Sequence, residues 1–236
     1  MDAKRTTVKL TSAIINGFYD LFIDGKNRPV FFNISKTFPD LLRLEQNYDV
    51  IKSELQLLKK RNLNIPRYHD IDAFQTAISA KENPNKNWRT FMINLMGDFT
   101  EDAYNFLPNT CDLLSEIPNL FQAFFSILDP QKSIPAHKGM YRGYIRYHLG
   151  LQVPTKNPPQ IRVKNSVYTW KNKESILFDD SWDHEVINNC NEERIVLIVD
   201  VLRPMPNIAH KVNSFISEYL VKKYYAKNVF EKLKTI

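Results

Sequence analysis

The spacing of hydrophobic positions along the chain changes near residue 88. Before that point, apolar residues recur every three or four positions, which is the period of an amphipathic helix. The pattern is clearest over residues 39–61, where the apolar positions are Leu41, Leu44, Tyr48, Ile51, Leu55 and Leu58. A proline at residue 39 suits the first turn of a helix. We therefore predict a helix here, packed by one face against the rest of the fold.

Weaker helical patterns lie on both sides of this segment. Residues 8–23 and residues of about 70–81 have apolar side chains at helical spacing. A short apolar run at residues 29–32 is compatible with either a strand or an anchoring loop. The first 87 residues are thus predicted to be a helical part that packs on the domain following it.

After residue 88 the apolar residues alternate with polar ones or form short continuous runs, as in strands. One short helix is predicted at 109–116. Strands are predicted at 88–95, 121–128, 143–153, 161–163, 167–170, 176–178, 185–187 and 194–202. Because no helices alternate regularly with these strands, a parallel sheet is disfavoured. We predict a mainly β fold with flanking helices, a jelly-roll or cupin-like barrel over residues 88–206.

The last segment, residues 207–236, is predicted to be an amphipathic helical addition. Its apolar face would comprise Val212, Phe215, Ile216, Tyr219 and Leu220. Residues 211–236 hold six lysines and two acidic residues, so this segment supplies +4 of the net charge of +6. We expect the apolar face to pack on the barrel. The alternative is peripheral contact of residues 211–236 with an anionic membrane surface.

Composition limits the remaining classes of protein. A chain of 236 residues with 43% hydrophobic residues is sufficient for one domain with additions. Its longest apolar run, residues 195–199, is too short to cross a bilayer, and its first residues lack a signal-peptide pattern. Cys111 and Cys190 lack metal-ligand spacing and are interpreted as free thiols. We expect a cytoplasmic protein, or one peripheral on the inner face of a membrane. Nucleic-acid binding is not expected, because the charge is not a stripe on the barrel.

Three of the five histidines lie between residues 133 and 204. Two of them, His137 and His184, are 47 residues apart. In a double-stranded β-helix, strands that are distant in sequence become neighbours, so this separation suits two ligands of one metal.

Four short sequence motifs contain or follow these histidines. They are His137-x-Gly139, Arg146-x-His148-Leu149-Gly150-Leu151, Phe178-Asp179-Asp180-Ser181-x-x-His184-Glu185-Val186 and Arg194-x6-Val201. In order and spacing they resemble the aspartyl/asparaginyl β-hydroxylase family of iron(II) and 2-oxoglutarate dioxygenases. The resemblance covers roughly residues 88–204 and implies a double-stranded β-helix.

The resemblance implies that Fe(II) is bound by His137 and His184, with water in the third place. Non-haem iron sites usually add a carboxylate, in the form His-x-Asp/Glu. Gly139 stands in that position here, as it does in the resembled family. We do not assign ligation to the neighbouring acids. Asp183 should point away from His184 along an extended strand, and Asp179-Asp180-Ser181 is predicted to form a turn.

The co-substrate residues are also implied by the resemblance. Arg194 occupies the family's position for the distal carboxylate of 2-oxoglutarate, which a guanidinium binds well. The alternative is a rim arginine paired with one of the two glutamates before it. Arg146 and His148, which should face the same way as Tyr144, are implied to contact the co-substrate. Ser126 is implied to hydrogen-bond it.

The implied reaction consumes dioxygen and 2-oxoglutarate and hydroxylates an unactivated carbon. The favoured substrate is the β-carbon of an Asp or Asn residue or a related small molecule. One alternative is a lipid A-type fatty acyl chain at the membrane surface. A second alternative, from another class, is a non-enzymatic jelly-roll binding module.

Overall fold

A computed structural model of the protein describes residues 2–72, 76–79, 83 and 85–233. Its α-helices are α1 (Asp2–Asp20), α2 (Ile34–Thr37), α3 (Leu42–Gln46), α4 (Tyr48–Lys60), α5 (Tyr68–Ile71), α6 (Thr76–Ser79), α7 (Glu101–Phe106), α8 (Pro108–Ser115), α9 (Asn207–Phe215) and α10 (Lys227–Leu233). Turns of 3₁₀-helix occur at Gly25–Asn27 and Pro39–Leu41, and a π-helical segment, Ile216–Ala226, joins α9 to α10. No helix within these residues is both long and apolar enough to cross a bilayer.

The strands are β1 (Phe31–Phe32), β2 (Trp88–Leu95), β3 (Asp98–Phe99), β4 (Leu120–Leu128), β5 (Ile134–His137), β6 (Tyr144–Gln152), β7 (Gln160–Val163), β8 (Ser166–Thr169), β9 (Ser175–Phe178), β10 (His184–Ile187) and β11 (Arg194–Leu202). They form a seven-stranded sheet in the order β1-β9-β6-β11-β4-β2-β3 and a four-stranded sheet in the order β5-β10-β7-β8.

The order of the strands identifies the barrel. From β4 to β11 the chain passes repeatedly between the two sheets, and β11 inserts antiparallel between β4 and β6. The smaller sheet likewise pairs β10 with both β5 and β7. Two interleaved antiparallel sheets of this kind constitute a double-stranded β-helix. The predicted fold class is therefore confirmed.

The larger sheet buries both of its faces because successive side chains of a strand point to opposite sides. On β11, Ile195, Leu197 and Val199 lie in a core shared with α4 and α8. Val196 and Ile198 lie in a second core, inside the barrel. Arg194 and Asp200 are separated from Val196 and Ile198 by an even number of positions along β11. Their side chains therefore also face the interior of the barrel.

Most predicted elements are present, with local differences. The helix predicted at 39–61 is interrupted at Asn47, which separates α3 from α4. Five positions of its predicted apolar face are nevertheless buried: Leu41, Leu44, Ile51, Leu55 and Leu58. The helix predicted at 70–81 corresponds to α5 and α6, and residues 73–75 and 80–82 lie outside the described part. The sequence reading missed α7, which begins where the Thr100 hydroxyl accepts a hydrogen bond from the Ala103 amide.

The C-terminal segment packs on the barrel by a face that shares Ile216 with the predicted face but excludes Phe215 and Tyr219. Ala209, Asn213 and Ile216 are buried, whereas Phe215 and Tyr219 are exposed. The contact favours small and polar residues because the helix lies against backbone: the Asn213 side-chain amide donates to the Gly143 carbonyl at 2.6 Å. The apolar face assigned to Phe215 and Tyr219 is thus wrong, and the side chain of Leu220 lies outside the described part.

Candidate active site

His137 and His184 are direct neighbours across the smaller sheet. His137 ends β5, His184 begins β10, and the two residues are paired in the antiparallel register of these strands. Their ring centroids are 4.1 Å apart. Strand pairing thus brings together two imidazoles that are 47 positions apart in the sequence.

Backbone carbonyls orient both rings. The Nδ1 atom of His137 lies 2.8 Å from the Pro135 carbonyl oxygen, and that of His184 lies 2.9 Å from the Trp182 carbonyl oxygen. A carbonyl only accepts, so each Nδ1 carries the hydrogen and each Nε2 retains a lone pair. Burial lowers the pKa of both histidines, which favours the neutral rings. Two adjacent neutral imidazoles with oriented lone pairs fit a divalent transition metal.

A carboxylate fills the space beside Gly139. A β-carbon built on Gly139 would lie 2.7 Å from Oδ1 of Asp180. That oxygen is buried and has no hydrogen-bond partner in the described ranges, while Oδ2 accepts from the Tyr144 hydroxyl at 2.7 Å. Burial is the main cause that raises the pKa of Asp180 to about 6. A side chain at position 139 would therefore collide with Asp180. The carboxylate of Asp180, which follows β9, occupies the space that the side chain would need.

The third metal ligand stays a prediction. Within the described residues, no group of three or more His, Cys, Asp or Glu side chains has the arrangement of a metal site. Asp183 pairs with Arg162 at 2.9 Å. Asp179 accepts from the amide and hydroxyl of Ser181, at 3.0 and 2.6 Å, which is the predicted turn.

The turn after β9 is held by an arginine that sequence reasoning missed. The Arg28 Nε donates to Asp179 at 2.7 Å, and its Nη2 donates to Ser181 at 3.0 Å. Its guanidinium also lies 3.7 Å from the centre of the Trp182 ring. Together with Arg203, which contacts Asp179 at 2.8 Å, Arg28 lowers the pKa of this carboxyl despite its burial. No motif marks Arg28, so the sequence offered no signal for it.

Arg194 is a buried cation with unsatisfied donors. Its residue is 1% exposed, and neither Nε nor Nη1 has a hydrogen-bond partner among the residues that the structure describes. The guanidinium carbon lies 4.6 Å from the centre of the Trp170 ring, and burial lowers the pKa of Arg194 to about 9. The alternative was an arginine at the rim of the barrel, paired with one of the two glutamates before it. Arg194 is instead buried, and Glu193 pairs with Lys59 and Arg89.

His148 lies between Arg194 and the histidine pair. Both of its ring nitrogens are buried, and neither has a hydrogen-bond partner within the described part of the chain. Its ring lies 5.7 Å from that of Trp170 and 5.0 Å from that of Phe178, which in turn is 6.1 Å from His184. Burial, with the charges of Arg146 and Arg194, lowers the pKa of His148 well below its usual value. Because buried polar groups are normally satisfied, these unsatisfied groups favour a polar ligand as their missing partner.

Arg146 contrasts with Arg194. It binds Asp200 through two hydrogen bonds of 2.8 and 2.7 Å, and its Nη1 lies 3.2 Å from Asp180. Asp200 also accepts from Gln122 at 2.6 Å. The sequence reading overlooked Asp200, although an acid inside a buried apolar strand was an available signal. Contact between Arg146 and a co-substrate stays a prediction.

Ser126 is buried on the inner face of β4. Its hydroxyl oxygen accepts from the Trp88 indole nitrogen at 2.9 Å, which leaves the hydroxyl hydrogen available for donation. Ser126 is paired with Val196 on β11, two positions after Arg194. The contact with a co-substrate that we predicted for Ser126 stays a prediction.

Comparison with known proteins identifies the family of this chain. The family model for aspartyl/asparaginyl β-hydroxylase matches residues 45–204. The chain belongs to this family. The matched region includes all six predicted site residues, from Ser126 to Arg194, and excludes Arg28 and α9. The family resemblance inferred from the four motifs is thus confirmed.

Two curated relatives are similar to this chain over most of its length. The chain is 37% identical to an ornithine lipid ester-linked acyl 2-hydroxylase of Rhizobium tropici over 188 residues, 79% of this chain and 65% of that protein. It is 30% identical to human aspartyl/asparaginyl β-hydroxylase over 168 residues, 68% of this chain and 21% of that protein. The chain therefore spans less than two thirds of the length of these relatives.

Solved structures with a related fold include a Pseudomonas putida prolyl-4-hydroxylase. It is 14% identical, with a TM-score of 0.44, covering 66% of this chain and 88% of that one. The cupin domain of Cnp3 from Schizosaccharomyces pombe is 13% identical, with a TM-score of 0.31, covering 37% and 58%.

Proposed function

We propose that this protein is an Fe(II)- and 2-oxoglutarate-dependent hydroxylase. The observation that carries the proposal is the combination, inside one barrel, of two oriented imidazoles and a buried arginine that lacks an anion. His137 and His184 would hold Fe(II) through their Nε2 atoms. Arg194 would bind the distal carboxylate of 2-oxoglutarate by charge-assisted hydrogen bonds.

The unsatisfied groups support this assignment. An unpaired buried charge is strongly unfavourable, so Arg194 is explained more readily by an anionic ligand than by a role in stability. Among the described residues, the ring nitrogens of His148 and the Oδ1 of Asp180 also lack hydrogen-bond partners. Asp180 contacts Tyr144 and Arg146, which alternate with His148 on the same face of β6. Ser126 would add its hydroxyl donor, and Arg146 its remaining N–H groups.

The reaction follows from the pair of co-substrates. The iron, when bound, supplies the redox chemistry that activates dioxygen. One oxygen atom enters a C–H bond of the substrate as hydroxyl. The other enters 2-oxoglutarate, which loses its carboxyl group next to the ketone as carbon dioxide and leaves as succinate. The residues of the chain bind, orient and desolvate the reactants, and they do not themselves change oxidation state.

We propose a fatty acyl chain of a membrane lipid as the substrate. The support is the relative from Rhizobium tropici, whose name specifies an ester-linked acyl chain and whose match covers 79% of this chain at 37% identity. The human relative, at 30% identity over 68% of the chain, supports the other candidate, the β-carbon of an Asp or Asn residue. This reverses the preference that the sequence motifs suggested.

One experiment tests two points separately: whether the protein is a hydroxylase, and which substrate it hydroxylates. The purified chain is supplied with Fe(II), 2-oxoglutarate and air, and succinate is measured in the presence of bacterial lipid extract or of peptides containing Asp and Asn. In parallel, products are examined for the gain of one oxygen atom. We expect succinate formation coupled to an oxygenated acyl chain, and none with His184→Ala. Oxygenation of the peptides alone would favour the second substrate. Absence of both metal binding and succinate formation would refute the hydroxylase.

A further inference from the structure

The turn between β9 and β10 carries two backbone carbonyls on which the geometry of the histidine pair depends. His184 donates its Nδ1 hydrogen to the Trp182 carbonyl at 2.9 Å. The Gly139 amide, two positions after His137, donates to the Asp180 carbonyl at 2.9 Å. A shift of this turn would therefore reorient the His184 ring, and such outer partners are what fixes a metal-binding imidazole.

The segment that leads into β1 lies against this turn. The Asp179 amide donates to the Val30 carbonyl at 3.0 Å, and Phe31 pairs with Phe178 where β1 extends the larger sheet. Arg28 comes two positions before Val30. The family model begins at residue 45, so this support of the turn comes from outside the matched part of the chain.

Trp182, whose carbonyl orients His184, is held on both faces of its ring. The Arg28 guanidinium carbon lies 3.7 Å from the ring centre, and the Lys164 Nζ lies 4.2 Å from it. Two cationic groups so close to one ring centre must occupy opposite faces. The Lys164 amide also donates to the Asp183 carbonyl at 2.7 Å. The ring is thus clamped between Arg28 and the turn that joins β7 to β8.

Arg203 provides a comparison within the same network. Arg28 and Arg203 are both 3% exposed, and both pair with Asp179, at 2.7 and 2.8 Å. The Nε of Arg203 then donates to the Arg142 carbonyl at 2.7 Å, whereas the Arg28 guanidinium continues onto the Trp182 ring. Equal burial and the same ion pair therefore go with different positions relative to the carbonyl that orients His184.

We propose that Arg28 is a positioning residue for the metal site. By bonding Asp179 and Ser181 and covering the Trp182 ring, it fixes the carbonyl that holds the His184 imidazole with its Nε2 lone pair available. A planar, forked guanidinium can make these three contacts at once, whereas a lysine ammonium cannot. The inference rests on the proposed function for the metal, but the orientation of the ring can be measured without it.

The first test uses the full chain without metal, labelled with ¹⁵N-histidine and followed by NMR. We expect the His184 Nδ1 hydrogen to exchange with solvent about tenfold faster in Arg28→Met, because its acceptor is no longer held in place. The His137 Nδ1 hydrogen is an internal control. Its acceptor is the Pro135 carbonyl, outside the turn, so its exchange should change little.

The second test is anaerobic titration with Fe(II) alone, at a temperature at which circular dichroism shows every variant to be folded. Arg28→Met should weaken Fe(II) binding about tenfold, as expected for loss of an outer partner of a ligand. Arg203→Met is the matched control and should lower stability while leaving Fe(II) affinity nearly unchanged. Arg28→Lys keeps the charge beside Asp179 and should recover stability but not Fe(II) affinity.

A further variant keeps the test decisive if Arg28→Met does not fold. Trp182→Leu leaves both arginines paired with Asp179 but removes the ring that Arg28 and Lys164 enclose. We expect faster exchange of the His184 Nδ1 hydrogen in this variant as well. Unchanged exchange would mean that the clamp on the ring does not orient the histidine, and the proposal would fail.

Three outcomes would overturn the positioning role. They are unchanged exchange of the His184 Nδ1 hydrogen in Arg28→Met, an equal loss of Fe(II) affinity in Arg203→Met, and full recovery of Fe(II) affinity in Arg28→Lys. The second result would assign the effect to the charge balance at Asp179, and the third to a single positive charge.

The positioning role and the proposed function can fail independently. If exchange at His184 depends on Arg28 but the intact chain binds no Fe(II), the hydroxylase is refuted and the orientation of the ring by Arg28 stands. If the intact chain binds Fe(II) and forms succinate while exchange at His184 is independent of Arg28, the positioning role alone is refuted.

Discussion

Arg146 and Arg194 are two arginines on neighbouring strands of the same sheet, and both face the barrel interior. Arg146 has two carboxylate partners, Asp200 and Asp180, which raise its pKa well above its usual value despite burial. Arg194 has an aromatic ring above it but no carboxylate partner among the described residues, and burial lowers its pKa. The same residue type thus occurs once as part of a satisfied network and once as an isolated charge.

The difference distinguishes structure from binding. A buried ion pair completes its own hydrogen bonds, so removal of one partner leaves an uncompensated charge. A buried charge without a partner lowers stability in the free protein, and it is retained where a ligand supplies the missing counter-ion. We therefore interpret Arg146 as a residue that supports the barrel and Arg194 as the residue that marks the co-substrate site.

The largest effect is expected from the histidines that lie beside these arginines. His137→Ala and His184→Ala should each abolish Fe(II) binding and succinate formation. Each variant would keep only one of the two histidine ligands, and one imidazole cannot hold the metal. Anaerobic metal titration and a turnover assay measure the two effects. His210→Ala, on α9, is the control and should change neither. Near-full iron occupancy and activity in either site variant would contradict the metal site.

The second effect concerns stability. Arg146→Met should lower the free energy of unfolding by about 3–5 kcal/mol because Asp200 and Asp180 would lose their cation. Arg194→Met should leave it unchanged or raise it, since this side chain satisfies no carboxylate. Urea denaturation without metal and 2-oxoglutarate measures both. Equal losses for the two variants would remove the distinction between the arginines.

The third effect concerns the co-substrate. Arg194→Met should raise the KM for 2-oxoglutarate about 30- to 1000-fold, the equivalent of about 2–4 kcal/mol for a charge-assisted bidentate interaction. Fe(II) affinity should be nearly unchanged. Arg162→Met is a control, because Arg162 pairs with Asp183 and Glu185 at the barrel surface. An unaltered KM in the Arg194 variant would show that the anion binds elsewhere.

The smallest effect is expected at Ser126. Ser126→Ala should lower the free energy of unfolding by about 1–2 kcal/mol because the buried Trp88 indole nitrogen would lose its acceptor. The KM for 2-oxoglutarate should rise only a few-fold, as expected for one neutral hydrogen bond. Denaturation and steady-state kinetics measure these changes. A rise as large as that for Arg194 would mean that the serine, and not the arginine, dominates co-substrate binding.

Much of the fold and part of the site followed from local patterns. Alternation and short apolar runs located the barrel strands because side-chain period is a local property of a strand. The spacing around His137, His148, His184 and Arg194 was sufficient to identify the family. Even the turn at Asp179 was predictable, since its hydrogen bonds to Ser181 connect near neighbours in sequence.

The strand pattern, the family and the residues that carry the proposed chemistry could therefore be read from the order of residues. Three features of the site could be seen only after folding: which arginine is paired, that Asp180 fills the space beside Gly139, and that Arg28 holds the turn before His184. The same is true of which side of α9 is buried. Each of these depends on residues that are distant in the chain, such as Arg146 with Asp200 or Asn213 with Gly143. The physical reason is that charge pairing and packing depend on distances in space, which a local period does not contain.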